Sequence, residues 1–148
     1  MPKLEVIELH MAAAHFPIAL LMSNAFFDAT GRVLHRPELR TASYWCHLLG
    51  VLAAIVTTAL GTLGNPFRED TGLLVFFWKD YNHGMTQRMA THSWVGLASG
   101  AVFAALAIWR VKRRDAFSRA GLVIYWTATA AGVGLLGAAG YLGSHVMD

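Results

Sequence analysis

Apolar residues in this chain gather into four long runs, at about 9–27, 41–63, 89–109 and 120–142. No Asp, Glu, Lys or Arg interrupts any of them. Each run is close to the roughly 20 residues that carry a helix across about 30 Å of hydrocarbon. A helix on the surface of a soluble bundle keeps a polar face, and these runs have none. A segment in lipid must satisfy its own backbone hydrogen bonds, so each run is expected to be a helix. The pattern predicts an all-α, four-transmembrane-helix bundle with up-down-up-down connectivity. A single integral membrane domain would then span residues 1–148.

Small residues recur at every fourth position along three of the runs: Cys46, Gly50, Ala54 and Thr58; Gly96, Gly100 and Ala104; Ala130, Gly134 and Ala138. Lipid supplies no hydrophobic drive between helices, so such ridges serve close packing. One ridge is left open as a docking face for a partner. The connection at 64–87 is too long for a plain turn. Its apolar and aromatic middle, "TGLLVFFWKDYNHG", is expected to lie along the membrane interface with Trp78 and Tyr81 at headgroup level.

Charge then orients the bundle. The first connection holds Arg32, Arg36 and Arg40, and the third holds Arg110, Lys112, Arg113, Arg114 and Arg119. The N-terminus and second connection hold only Lys3, Arg68, Lys79 and Arg88. The positive-inside rule therefore predicts that both termini are extracytoplasmic, in a multi-pass protein of the bacterial inner (cytoplasmic) membrane. Glu5 and Glu8 break up a basic leader region and no small-residue cleavage site follows, so the first run is read as a retained helix. Over the whole chain, 55% of residues are hydrophobic and 14% charged, with a net charge of +3. No basic patch is interleaved with aromatics, which argues against a nucleic-acid partner. The lone Cys46 excludes an internal disulfide and a cysteine-based cluster, and is expected simply to pack in its helix.

Candidate chemistry rests on the seven histidines. On the predicted topology His10, His15, His83, His92 and His145 fall at the outer side, His35 and His47 at the inner. Counted from the expected helix starts, His15 and His92 lie at matching depths of roughly 10 Å. They sit on the first and third helices, which are diagonal neighbours about 13 Å apart in a four-helix bundle. That gap suits two imidazoles reaching one haem iron from opposite sides. Ala12, Gly96 and Ser99 would leave room for a porphyrin, with Phe16 and Trp94 along its edge. His15 and His92 are thus the leading ligands for a b-type haem iron. His10, His145 and His83 are weaker metal-ligand candidates, and His10 with His145 leaves a shallower site open. His47 has no partner at its depth and is expected to bond a neighbouring helix or the headgroup region. Catalytic triads, phosphate loops and HExxH are absent. The lack of carboxylates within the runs argues against a proton- or cation-driven transporter.

"HFPIAL" at 15–20, "GTLGN" closing the second run, His92 early in the third and "GYLGSHVMD" at the end resemble a family of small predicted bacterial four-helix membrane proteins of unknown function. Members typically begin with an HFP-type motif and end with a GYLGG-type one, and commonly carry an acidic residue at the place of Asn65. The resemblance implies the architecture, points to His15 and His92, and brings no activity. These readings together predict a cytochrome b-like electron carrier rather than a stand-alone enzyme. It would pass electrons between quinol and an extracytoplasmic redox protein, as a homo-oligomer or in a larger membrane complex. A non-catalytic scaffold or accessory subunit, and an outward-facing histidine metal site, stand as alternatives.

Overall fold

The computed structural model describes residues 3–64, 84–113 and 116–145. These form four helices, α1 (Lys3–Val33), α2 (Pro37–Gly64), α3 (Gly84–Arg113) and α4 (Arg119–Ser144). No strand occurs among the described residues. Each helix is long and apolar enough to cross a membrane, as the four runs predict. The proposed interfacial segment, with Trp78, Tyr81 and His83, falls at 65–83, outside the described residues.

The helices extend past the apolar runs, most of all at α1, which begins six residues early. Hydrophobicity marks where a helix meets lipid. The backbone ladder itself continues through Glu, Lys and Arg, which are good helix formers. α1 also runs straight on through Pro17, although a proline nitrogen cannot donate to the carbonyl four residues back. What ends α1 is a left-handed residue, His35, at φ 53°. Arg36 N–H donates to the Gly31 carbonyl at 2.8 Å and His35 N–H to that of Arg32 at 3.4 Å. This is the paired closure of a Schellman motif, with histidine where glycine is usual. Pro37 then opens α2 at a position where a missing N–H does no harm. α4 starts on Ser118, whose hydroxyl accepts from the Gly121 N–H at 3.1 Å.

α1 packs along α2 and α3 along α4. The two hairpins meet through α2 against α3 and α1 against α4, which leaves α1 and α3 on one diagonal. Around the outside, Phe16, Phe26, Ile55, Val123 and Tyr141 are exposed. An apolar exterior of that extent requires an apolar solvent, so these side chains face lipid. Inside, Leu21, Phe103, Leu106 and Tyr125 are buried.

The two hairpins repeat each other at a spacing of 82 positions. Gly50 of α2 lies against Leu21, where an added Cβ would come within 2.7 Å of the Leu21 side chain. Gly132 of α4 lies in the same way against Phe103, at 2.9 Å. Positions 50 and 132, and likewise 21 and 103, are separated by that spacing. The sequence keeps a trace of it: "GV" and "LG" recur at 50–51 and 60–61, then at 132–133 and 142–143. Because α1 and α3 run the same way, the repeats are related by an approximate two-fold axis along the bundle. The expected ridges are only partly used: Gly50 packs in the bundle, whereas Gly96, Gly100 and Gly134 face open space.

His35 supplies a test of the α1–α2 turn. Replacing a left-handed histidine by glycine removes Cβ crowding, offset in part by greater unfolded-state freedom. His35→Gly should raise thermal stability in detergent by about 0.5–1 kcal/mol, whereas His35→Val should lower it.

Candidate functional site

Two polar centres lie where the repeats meet, one toward each end of the bundle. The first is built from His10 of α1 and His92 of α3. Their ring centroids are 6.5 Å apart and their planes stand at 85°. His10 Nδ1 lies 2.8 Å from the Thr57 carbonyl on α2, and His92 Nδ1 lies 2.9 Å from the Ala139 carbonyl on α4. A carbonyl only accepts, so each Nδ1 carries the proton and donates it. Each Nε2 is thereby fixed as the nitrogen with a free lone pair. Metal-binding imidazoles typically have this arrangement, with one nitrogen anchored to a carbonyl and the other available.

Both bonds span 47 positions, and both histidines and both acceptors are 82 apart. Glycine accompanies each ring: an added Cβ at Gly61 would come within 2.8 Å of the His10 ring, and one at Gly143 within 2.9 Å of the His92 ring. Equivalent residues of two repeats that touch one another must lie at the axis between them. The pair is therefore a two-fold-related couple of half-buried imidazoles on the diagonal of the bundle.

The expected partner of His92 differs from this arrangement. His15 stands exposed, with Nδ1 donating to the Met11 carbonyl of its own helix at 3.0 Å. The structure does not bring it to His92. Depth matching counts from helix starts, and α1 starts at Lys3 rather than near residue 9, so the residue level with His92 is His10. His145 is also exposed, at the end of α4; its Nδ1 lies 2.9 Å from both the Tyr141 carbonyl and the Ser144 hydroxyl. His83 is outside the described residues. Among the described residues no group of three or more His, Cys, Asp or Glu is placed to hold a metal ion. Phe16 and Trp94 lie on the exposed surface, and Ser99 is buried with its hydroxyl donating to the Gly132 carbonyl. His47 is buried and donates from Nε2 to the Phe103 carbonyl of α3 at 3.0 Å, the helix-to-helix bond among the two partners expected of it.

The second centre was not anticipated. Arg110 of α3 is buried to 1% exposure, and its guanidinium gathers groups from the other three helices. Nη1 donates to Asn24 Oδ1 (3.1 Å), Ser43 Oγ (2.9 Å) and Tyr125 Oη (3.3 Å). Nη2 donates to Asp28 Oδ1 and to the Arg40 carbonyl, both at 3.3 Å. Asp28, 2% exposed, also receives Arg32 Nε at 2.9 Å. Ser43 in turn donates to Asn24 Oδ1 at 2.9 Å. The rings of Tyr44 and Tyr125 lie 5.7 and 5.9 Å from the Arg110 guanidinium carbon, within cation–π reach.

Asp28 and Arg110 are again equivalent positions of the repeat. From sequence they stood just past the ends of two apolar runs and counted only as loop charges. Their membership of the bundle removes one premise, since a carboxylate does lie within a span. It is shared by two guanidiniums, however, and so is committed to an ion pair. The 82-residue spacing is the signal that would have found both centres, because it pairs position 10 with 92 and 28 with 110.

A family model described as a predicted membrane protein (DUF2231) matches residues 7–147. The chain belongs to the DUF2231 family. No curated protein and no solved structure matches this DUF2231 chain. Membership fits the four lipid-facing helices and carries no activity with it.

Removing one partner from a buried charge pair strands the other, which costs about 3–5 kcal/mol. Asp28→Leu should lower thermal stability in detergent by that order, and Arg110→Met by less, because Arg32 still holds Asp28. The double variant should lose less than the sum, because Asp28 and Arg110 no longer strand one another. Additive losses in unfolding measurements would show that the two are not coupled.

Proposed function

We propose that this DUF2231 protein is a membrane electron carrier in which His10 and His92 would hold a single b-type haem. The observation that carries the reading is the pair of equivalent imidazoles, 6.5 Å between centroids, each with Nδ1 anchored on a carbonyl of its own hairpin. Two imidazoles this close, each with Nε2 left free of a carbonyl, would suit an iron held by both. Among the described residues only two protein ligands are on offer there. A bare ion wants more, whereas a porphyrin supplies its own equatorial nitrogens. The buried Thr57 hydroxyl, on the residue whose carbonyl receives His10, has no partner in the protein and is free to meet a polar group of a bound ligand.

The bound haem would supply reversible one-electron chemistry. The chain's own contribution is to hold both imidazoles in the coordinating tautomer and to surround them with apolar helices. The distribution of arginines supports termini, and hence the histidine pair, on the extracytoplasmic side of a bacterial inner membrane. Quinol in the bilayer and an extracytoplasmic redox protein are the partners this placement suits. A second reading has its own support: each Nδ1 bond also clips its hairpin together, which is what a non-catalytic scaffold or accessory subunit requires.

An absorption spectrum of protein purified after haem-replete expression decides between them. A Soret band with a reducible α band is expected, lost in His10→Ala and in His92→Ala and kept in His15→Ala. A colourless wild type overturns the haem reading, and a band lost with His15→Ala but not His10→Ala overturns the ligand assignment.

A further inference from the structure

The end of the bundle opposite the histidines carries more guanidinium than carboxylate. Arg110 and Arg32 share the single carboxylate of Asp28. Arg40 also lies at this end, and its Nε is buried with no hydrogen-bond partner. An unsatisfied N–H of a charged group is costly to bury. Arg40 lies beside a cavity of about 240 Å³ lined by Pro37, Arg40, Thr41 and Tyr44. The cavity adjoins the Arg110 network on two sides: the Arg40 carbonyl receives Arg110 Nη2 at 3.3 Å, and the Tyr44 ring lies under the Arg110 guanidinium.

The site is also built from behind. Gly31 of α1 lies under the Arg40 stem, where a Cβ would come within 3.0 Å of Arg40 Cγ. Any larger residue there would push the arginine out of its place. The cavity opens at the start of the second membrane span, the level at which lipid headgroups lie. Glu38, the acidic residue in the first turn of α2, does not line it.

From the unsatisfied Nε of Arg40, the cavity beside that side chain and its level in the membrane, we infer that this cavity is a binding site for a phosphate group, held by Arg40, either on an anionic phospholipid headgroup or as free phosphate. Turning toward a phosphate in the cavity would give Arg40 Nε the acceptor it lacks, and the phosphate charge would offset that guanidinium. Arginine suits this task because its planar fork matches two phosphate oxygens. The site lies at the far end of the bundle from His10 and His92, so it stands whether or not a haem is bound.

Thermal unfolding of the full-length protein in a neutral detergent tests this. Added phosphatidylglycerol should raise Tm by about 5 °C or more, well beyond the effect of phosphatidylcholine, as expected for a ligand near-saturating the folded state. Arg40→Gln should remove that difference, and Arg40→Lys should keep part of it. Lys112→Gln with Arg113→Gln, which removes two exposed cations at the same end, should leave it intact. Sodium phosphate against chloride at equal ionic strength separates the sources. A shift with phosphate equal to that with phosphatidylglycerol assigns free phosphate, and no shift assigns the lipid. Equal effects of the two lipids together with no phosphate shift, an undiminished difference in Arg40→Gln, or its loss in the Lys112/Arg113 variant would overturn the proposal.

Discussion

The buried guanidinium of Arg110 is the point on which the four helices depend. In lipid, apolar side chains gain nothing by choosing one another over acyl chains, so burial alone does not select an arrangement. A charge that must be solvated within the bundle does. Arg110 takes oxygen atoms from Asn24 and Asp28 on α1, from Ser43 and the Arg40 backbone on α2, and from Tyr125 on α4. Each alternative rotation or slide of a helix would strand one of these groups in hydrocarbon. The network thus fixes register as much as it contributes stability, which is the best-attested use of buried charge.

The same network explains why the two hairpins differ although they repeat each other. Where like residues of a repeat meet on an axis, a homotypic contact results, as with His10 and His92. At the other end a homotypic contact would bring two aspartates or two arginines together in low dielectric, which is strongly repulsive. Asp28 and Arg110 resolve this by opposite charge. One end of the bundle therefore keeps two-fold symmetry and the other breaks it. The symmetric end brings two equivalent imidazoles together, and the asymmetric end has an arginine beside a cavity.

Between these two ends the helices approach closely. Leu21 and Phe103 are fully buried at equivalent positions, each seated on a glycine of its own hairpin, Gly50 or Gly132. Any Cβ at those glycines would collide with the side chain it faces. The close approach of α1 to α2 and of α3 to α4 is thus set midway along the bundle. The small-residue ridges that face open space have no such contact, and they contribute nothing to the packing of this chain.

The sequence by itself determined the number of helices, their membrane-spanning character and their diagonal pairing, because those follow from local hydrophobicity and chain connectivity. It also made His92 a candidate and gave a helix-to-helix bond as one of two readings for His47. It did not determine which histidine faces His92. A helix turns 100° per residue, so an error of several residues in where α1 begins changes both the depth and the face of every side chain counted from it. His15 falls on the lipid side for that reason and His10 on the axis. Nor could the runs reveal the Arg110 centre, whose members lie far apart in the chain and, as single charges at run ends, look like solvated loop residues. Only the tertiary structure, by bringing positions 82 apart face to face, decided which of them are on the surface and which close the bundle.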